Sequence, residues 1–178
     1  ENMSRAPGVF PKPTTGFANG NVTAYDTSLG WRFPNPKMEA LFPLEAMGET
    51  AENLVEKYGI SREAQDRFAC ESHQKAMAAQ QNGFFKNEII PVSLAQKKGE
   101  PLIIEKDEGP RSDTTLEKLA VLKPAFRKNG TVTAGNSSTL NDGASCLLIA
   151  SESAVKKYHL SPIARYIGSA TAGVDPRY

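Results

Sequence analysis

The chain has 178 residues, 39% of them hydrophobic and 23% charged, with a formal net charge of +1; this is ordinary globular composition, enough for the core of one medium domain. So even a balance argues against a nucleic-acid surface, which needs clustered Lys and Arg in excess, and the pairs Lys97-Lys98 and Lys156-Lys157 read as solvated faces. No apolar stretch approaches the roughly 18 to 20 residues that span a bilayer and no charged-then-apolar leader appears, so no membrane partner is expected and the setting is read as cytoplasmic.

Residues 5–45 contain Pro7, Pro11, Pro13, Pro34, Pro36 and Pro43, which break any helix and predict a long irregular excursion. Irregular segments of this length are uncommon in compact domains unless they serve a function; Tyr25, Trp31 and Phe33 are its expected anchors. From Glu49 the pattern turns helical, with Ala51, Leu54, Val55 and Tyr58 at i, i+3, i+4 and i+7 and Gly59 as the stop. Ser61 then caps a longer helix, whose inner stripe is read as Phe68, Ala69, Ser72, Ala76 and Ala79 and which ends at Gly83. Residues 89–92 and 102–104 predict two short strands joined through Lys98-Gly99-Glu100, with Pro91 placing the first at an edge.

Thr114 and Glu117 have capping-box spacing ahead of a short helix that buries Leu116, Leu119 and Ala120. The run 144–150 is apolar at nearly every position and predicts a strand covered on both faces. Ser151 caps a further helix carrying Ala154, Val155 and Tyr158, and residues 163–173 read as another strand. The two cysteines, Cys70 and Cys146, are far apart and lack CxxC spacing, so neither a metal site nor a disulfide framework is indicated. Cys146 is expected to behave as a small buried hydrophobe. Neither thiol has an adjacent base to activate it, and His73 and His159 are read as solvated helix positions.

The most telling stretch is Thr133-Ala134-Gly135-Asn136-Ser137-Ser138-Thr139-Leu140, followed by Asn141-Asp142-Gly143-Ala144. Small residues and hydroxyls in a Gly-punctuated turn suit backbone lying against a ligand. Together with Glu1-Asn2-Met3-Ser4, residues 47–53, residues 60–66 and Leu122-Lys123-Pro124-Ala125-Phe126, in that order and spacing, it resembles one family: the thiolases, or acetyl-CoA acyltransferases. The resemblance runs over essentially the whole chain and implies an α/β, thiolase-like fold. Residues 1–137 would be the loop domain, with its irregular excursion at 5–45. Residues 138–160 would be the closing strand and helix of the N-terminal half, and residues 161–178 the start of the C-terminal half.

Thiolases run to about twice this length and use a cysteine nucleophile upstream, with a His and a second Cys downstream. None of these motifs is present here, so the resemblance implies no catalytic residue in this chain. It implies instead a central, coenzyme A-binding portion that is inactive alone. No cofactor is expected to be permanently bound, and coenzyme A and acyl-CoA are the implied partners. A homo-oligomer is a further implication, with the 5–45 excursion as a subunit-contact and pocket-wall segment; a packed Ω-like loop held by its own aromatics is the alternative.

By matched motif, Arg111 aligns with an Arg set against the nucleotide end of coenzyme A; a guanidinium can stack on adenine and pair with phosphate. A surface Arg answering Asp107 and Glu108 is the alternative. Lys118 stands where some thiolases offer a nucleotide-contacting Ser, which turns that contact into a phosphate contact or removes it. Ser138 aligns with a hydroxyl that bonds the pantetheine arm and Ala134 with the small residue that lets the arm pass, against a turn Ser capping its own backbone. Phe126 aligns with an aromatic lining the pantetheine tunnel and Met47 with a methionine near the acyl group; ordinary core positions are the alternative for both.

Ala46 stands where biosynthetic thiolases commonly carry a His, and the segment 26–36 is similar to the loop of 3-oxoadipyl-CoA and related 3-ketoacyl-CoA thiolases. Both point to a degradative enzyme of the fatty acid β-oxidation kind. Arg32 in that loop is read either as a contact for a distal substrate carboxylate or as an exposed loop Arg. Two other readings compete: a stand-alone coenzyme A or acyl-CoA binding module, and an assembly element without catalysis.

Overall fold

The computed structural model describes residues 1–17 and 19–178; Ala18, inside the Pro-rich excursion, lies outside the described residues. In chain order the regular elements are β1 (Gly8–Val9), β2 (Tyr25–Asp26), α1 (Pro36–Glu39), α2 (Met47–Tyr58), α3 (Arg62–Gln81), β3 (Val92–Leu94), β4 (Leu102–Ile104), α4 (Leu116–Ala120) and α5 (Glu152–Tyr158), with one turn of 3-10 helix at Met3–Arg5. They fall into two compact units, Glu45–Ser138 and Glu1–Leu44 with Thr139–Tyr178.

Within Glu45–Ser138, α2 begins two residues before the expected Glu49 and ends where Gly59 takes a left-handed φ of 62°. The Ser61 hydroxyl accepts from the Ala64 N–H and caps α3 as expected. The inner stripe of α3 needs correcting: Phe68 is 77% exposed and Ser72 is also on the surface, whereas Asp66 and Cys70 are buried. Tyr58 of α2 is likewise exposed. At the short helix the cap is Thr115, whose hydroxyl accepts from the Lys118 N–H, and not Thr114; the Thr114 carbonyl instead accepts from the buried Cys70 thiol at 3.7 Å. Leu119 is buried as expected, while Leu116 is 44% exposed.

β3 pairs antiparallel with β4, Val92 opposite Ile104 and Leu94 opposite Leu102. The first strand therefore starts at Val92 and not Ile89, because Pro91 cannot donate to a ladder and the Ile89 N–H is used in a turn to the Phe85 carbonyl. Residues 124–133 double back on themselves: the Ala125 N–H donates to the Val132 carbonyl at 2.9 Å, and Asn129 turns the chain with a φ of 61°.

In the other unit, β1 and β2 pair antiparallel and the rings of Tyr25 and Phe33 meet edge to face at 5.3 Å. The excursion expected to be irregular thus contains a short ladder and α1, whose N-cap Asn35 and first residue Pro36 follow the usual start signals. Asp142 accepts from the Ser4 N–H at 2.8 Å and the Ser4 hydroxyl at 2.6 Å, which holds its carboxyl below the usual range. Two stretches far apart in sequence are thereby joined. The expected strands at 144–150 and 163–173 are absent among the described residues: both segments are open and exposed, Leu147, Leu148 and Ile149 by 83 to 89%, and Cys146 is exposed rather than buried. Neither segment pairs with another strand, and without a ladder partner β propensity alone does not make a sheet. Ser151 caps α5 through the Ala154 N–H, and His159 ends it in a left-handed conformation with a φ of 52°.

Candidate functional site

All six residues singled out for ligand binding belong to the unit Glu45–Ser138. Within that unit the loop 131–137 is held by polar clamps. Glu52 of α2 is only 2% exposed. Its carboxylate accepts from the N–H groups of Thr131 and Val132, each at 2.7 Å, and from the Thr131 hydroxyl at 3.1 Å. Charge-assisted bonds of this kind compensate for taking a carboxylate out of water. A side chain at Gly130 would collide with that carboxylate, whose Cδ stands 2.8 Å from the place of a Cβ, so the close approach depends on glycine.

The second clamp comes from α3. Asp66, 3% exposed, accepts from Arg62 Nε at 2.7 Å and from Asn136 Nδ2 at 3.0 Å. Asn136 in turn accepts from the Thr133 N–H at 2.7 Å, the Ser137 hydroxyl donates to the Thr133 carbonyl at 2.7 Å, and Thr133 is fully buried. With its inner groups tied down, the loop turns Ala134 and Ser138 outward, and both are exposed. A ligand passing over the loop meets a small side chain and a hydroxyl.

Phe126 and Met47 are brought together from different parts of the chain. The Phe126 ring covers the backbone of Gly48, the second residue of α2, so closely that any side chain there would overlap it. Met47 is the preceding residue and is 82% exposed, while Phe126 is 44% exposed, so neither is ordinary core. Arg127 fixes this corner, reaching Glu49 at 2.8 Å, Glu56 at 2.6 Å and Asn53 at 2.7 Å along one side of α2. The Glu49 hydrogen bond raises its already high pKa further.

Arg111 and Lys118 share one carboxylate. Asp113 receives Lys118 Nζ at 3.0 Å and Arg111 Nε at 3.4 Å, and these donors, Lys118 first, hold its pKa down at about 2. The Arg111 N–H donates to His73 Nδ1 at 3.1 Å, so His73 has a structural partner and is not merely solvated. The cationic pair is exposed, with side chains 68% and 59% accessible. Two clefts open elsewhere in the unit: one of about 670 Å³ beside Met77, Gln80, Phe85 and Ile89, and one of about 380 Å³ beside Cys70, Gln74 and Thr115. None of the six residues lines either.

A family model described as the thiolase N-terminal domain matches residues 1–153. The chain belongs to the thiolase family. It is 50% identical over 177 residues to a beta-ketoadipyl-CoA thiolase of Acinetobacter baylyi and 51% identical over 177 residues to one of Pseudomonas putida. It is 48% identical over 176 residues to a probable acetyl-CoA acyltransferase of Staphylococcus aureus. Each alignment takes in 99% of this chain, and the chain spans 44% of the length of these curated relatives. The crystal structure of the Bacillus anthracis acetyl-CoA acetyltransferase superposes with a TM-score of 0.76 at 42% identity, over 99% of this chain and 43% of that one. The α/β thiolase-like fold expected from the motifs is borne out.

Within the motif 133–140, residues 133–137 are built as a clamped loop. The sequence reading gave no role to the residues that clamp it, Glu52, Asp66, Arg62 and Asn136, or to Arg127, which fixes the corner of Phe126 and Met47. A signal was present, since Glu52 and Asp66 lie inside the motif blocks 47–53 and 60–66, but acidic side chains on amphipathic helices are ordinarily assigned to the surface. No helix among the described residues is long and apolar enough to cross a membrane. They also contain no group of three or more His, Cys, Asp or Glu arranged to hold a metal ion.

Proposed function

We propose that this chain supplies coenzyme A recognition to a thiolase that transfers acyl groups between 3-ketoacyl-CoA and coenzyme A. The observation that carries this reading is the loop 131–137, held by two buried carboxylates so that Ala134 and Ser138 face outward. Ser138 bonds the pantetheine arm, Ala134 lets it pass, and Phe126 and Met47 line its approach to the acyl group. Arg111 and Lys118 take the nucleotide end, where a planar guanidinium can stack as well as pair.

Acyl transfer through a covalent thioester needs an activated cysteine and an acid–base partner. Cys70 is buried with its thiol directed at the Thr114 carbonyl, which disfavours a nucleophilic role. On this reading the chain by itself is a binding portion, without a permanently bound cofactor, and it works within a homo-oligomer. Identity of about half to beta-ketoadipyl-CoA thiolases favours a substrate with a distal carboxylate over a plain fatty acyl chain. Calorimetry with coenzyme A tests the site. Arg111→Ala and Ser138→Ala are each expected to weaken binding about three- to tenfold, the range of a single hydrogen bond. Unchanged affinity in both variants removes the assignment.

A further inference from the structure

We infer that Arg62, Asp66 and Asn136 form a positioning bridge that sets the distance between the two ends of the coenzyme A site, so that the complete handle is gripped at both ends at once. The inference rests on the coenzyme A reading above. Arg62 Nη2 donates to the Leu119 carbonyl at 2.6 Å and the Leu122 carbonyl at 3.1 Å, holding the C-terminal end of α4, the helix that bears Lys118. Its Nε holds Asp66, Asp66 holds Asn136, and Asn136 accepts the Thr133 N–H of the loop that presents Ala134 and Ser138. The helix that bears Lys118 and the loop that presents Ala134 and Ser138 are thus tied by one part-buried chain of hydrogen bonds, with Arg62 and Asp66 as its charged members.

A second observation, independent of those hydrogen bonds, gives the same register. A Cβ at Gly135 would stand 2.5 Å from Leu122 Cδ1 and 2.6 Å from Leu119 Cδ2, so the loop backbone rests directly on the end of α4. Two contacts on one ligand reinforce each other only when geometry lets both be made together, and pre-set spacing removes the ordering cost. The bridge should therefore matter for coenzyme A, which spans both ends, and not for pantetheine, which reaches only one.

Calorimetry of Arg62→Lys with coenzyme A and with pantetheine reads this out. Lysine keeps the charge beside Asp66 but cannot also bond both carbonyls of α4. Coenzyme A binding is expected to fall about tenfold and pantetheine binding by less than about twofold. A parallel loss for both ligands, or no loss for either, overturns the bridge. Because replacing a part-buried Arg can also prevent folding, amide exchange of the unaltered protein with 3′,5′-ADP, the nucleotide end alone, provides a second readout. Slowed exchange at Thr131 and Thr133 as well as in α4 is expected. Protection confined to α4 overturns the bridge and leaves coenzyme A recognition standing; no protection anywhere in 111–138, by 3′,5′-ADP or by coenzyme A, removes both.

Discussion

The run 144–150 is apolar at nearly every position and lies open to solvent, whereas Glu52 and Asp66, both carboxylates, are among the most buried side chains. Every buried residue belongs to the unit Glu45–Ser138; among the described residues of the other unit none is buried. The difference teaches that burial follows from partners and not from side-chain polarity. Glu52 has three donors aimed at it, so leaving water costs it little, while Leu147 to Ile149 have no ladder and no facing layer.

The largest expected effect comes from removing the clamp. Glu52→Ala leaves the half-buried Thr131 N–H and the buried Val132 N–H without an acceptor and should cost about 3 kcal/mol, read from chemical denaturation. A loss below about 0.5 kcal/mol, the level of an ordinary surface change, would erase the contrast between the two units. Next comes Gly48→Ala: alanine favours a helix by about 1 kcal/mol, but here its methyl must displace the Phe126 ring, so a net loss of about 1 to 2 kcal/mol is expected. A stabilised variant would show that the ring is not held against α2.

Much of the helical scaffold was legible in the sequence. Periodicity and caps gave α2 and α3, because Ser61 and Gly59 have local physics that tertiary contacts do not alter. Spacing chose Thr114 as the cap because Glu117 stands three residues on, whereas the hydroxyl that accepts from the helix is that of Thr115. The strand at 144–150 was misjudged because an apolar run states what it needs, not whether the need is met. Phe68 was assigned inward on hydrophobicity, while Asp66 and Cys70 took the inner face through partners distant in sequence. At the candidate site, the motif gave Ala134 and Ser138; the buried carboxylates that set them were hidden by their charge.

A smaller effect sharpens the comparison at the exposed cationic pair. Asp113 has a folded pKa of about 2, below its ordinary 3.8, so the stability it contributes is present above the ordinary range and is lost as pH falls toward 2. Lys118→Ala removes the principal cause, and the Asp113 midpoint followed by NMR should rise toward 3.8; an unmoved midpoint would separate Lys118 from Asp113 in solution. The smallest expected effect is at the apolar run: Leu148→Ser should change stability by less than about 0.5 kcal/mol, because the side chain is already 85% exposed. A loss of about 2 kcal/mol would mean that the run is packed after all.

Buried carboxylates are what hold the loop 131–137 in place. Residue-resolved amide exchange tests it most directly. Thr131 and Val132, bonded to Glu52, should exchange at least about a hundredfold more slowly than residues 144–150, and equal rates in the two segments would contradict the account.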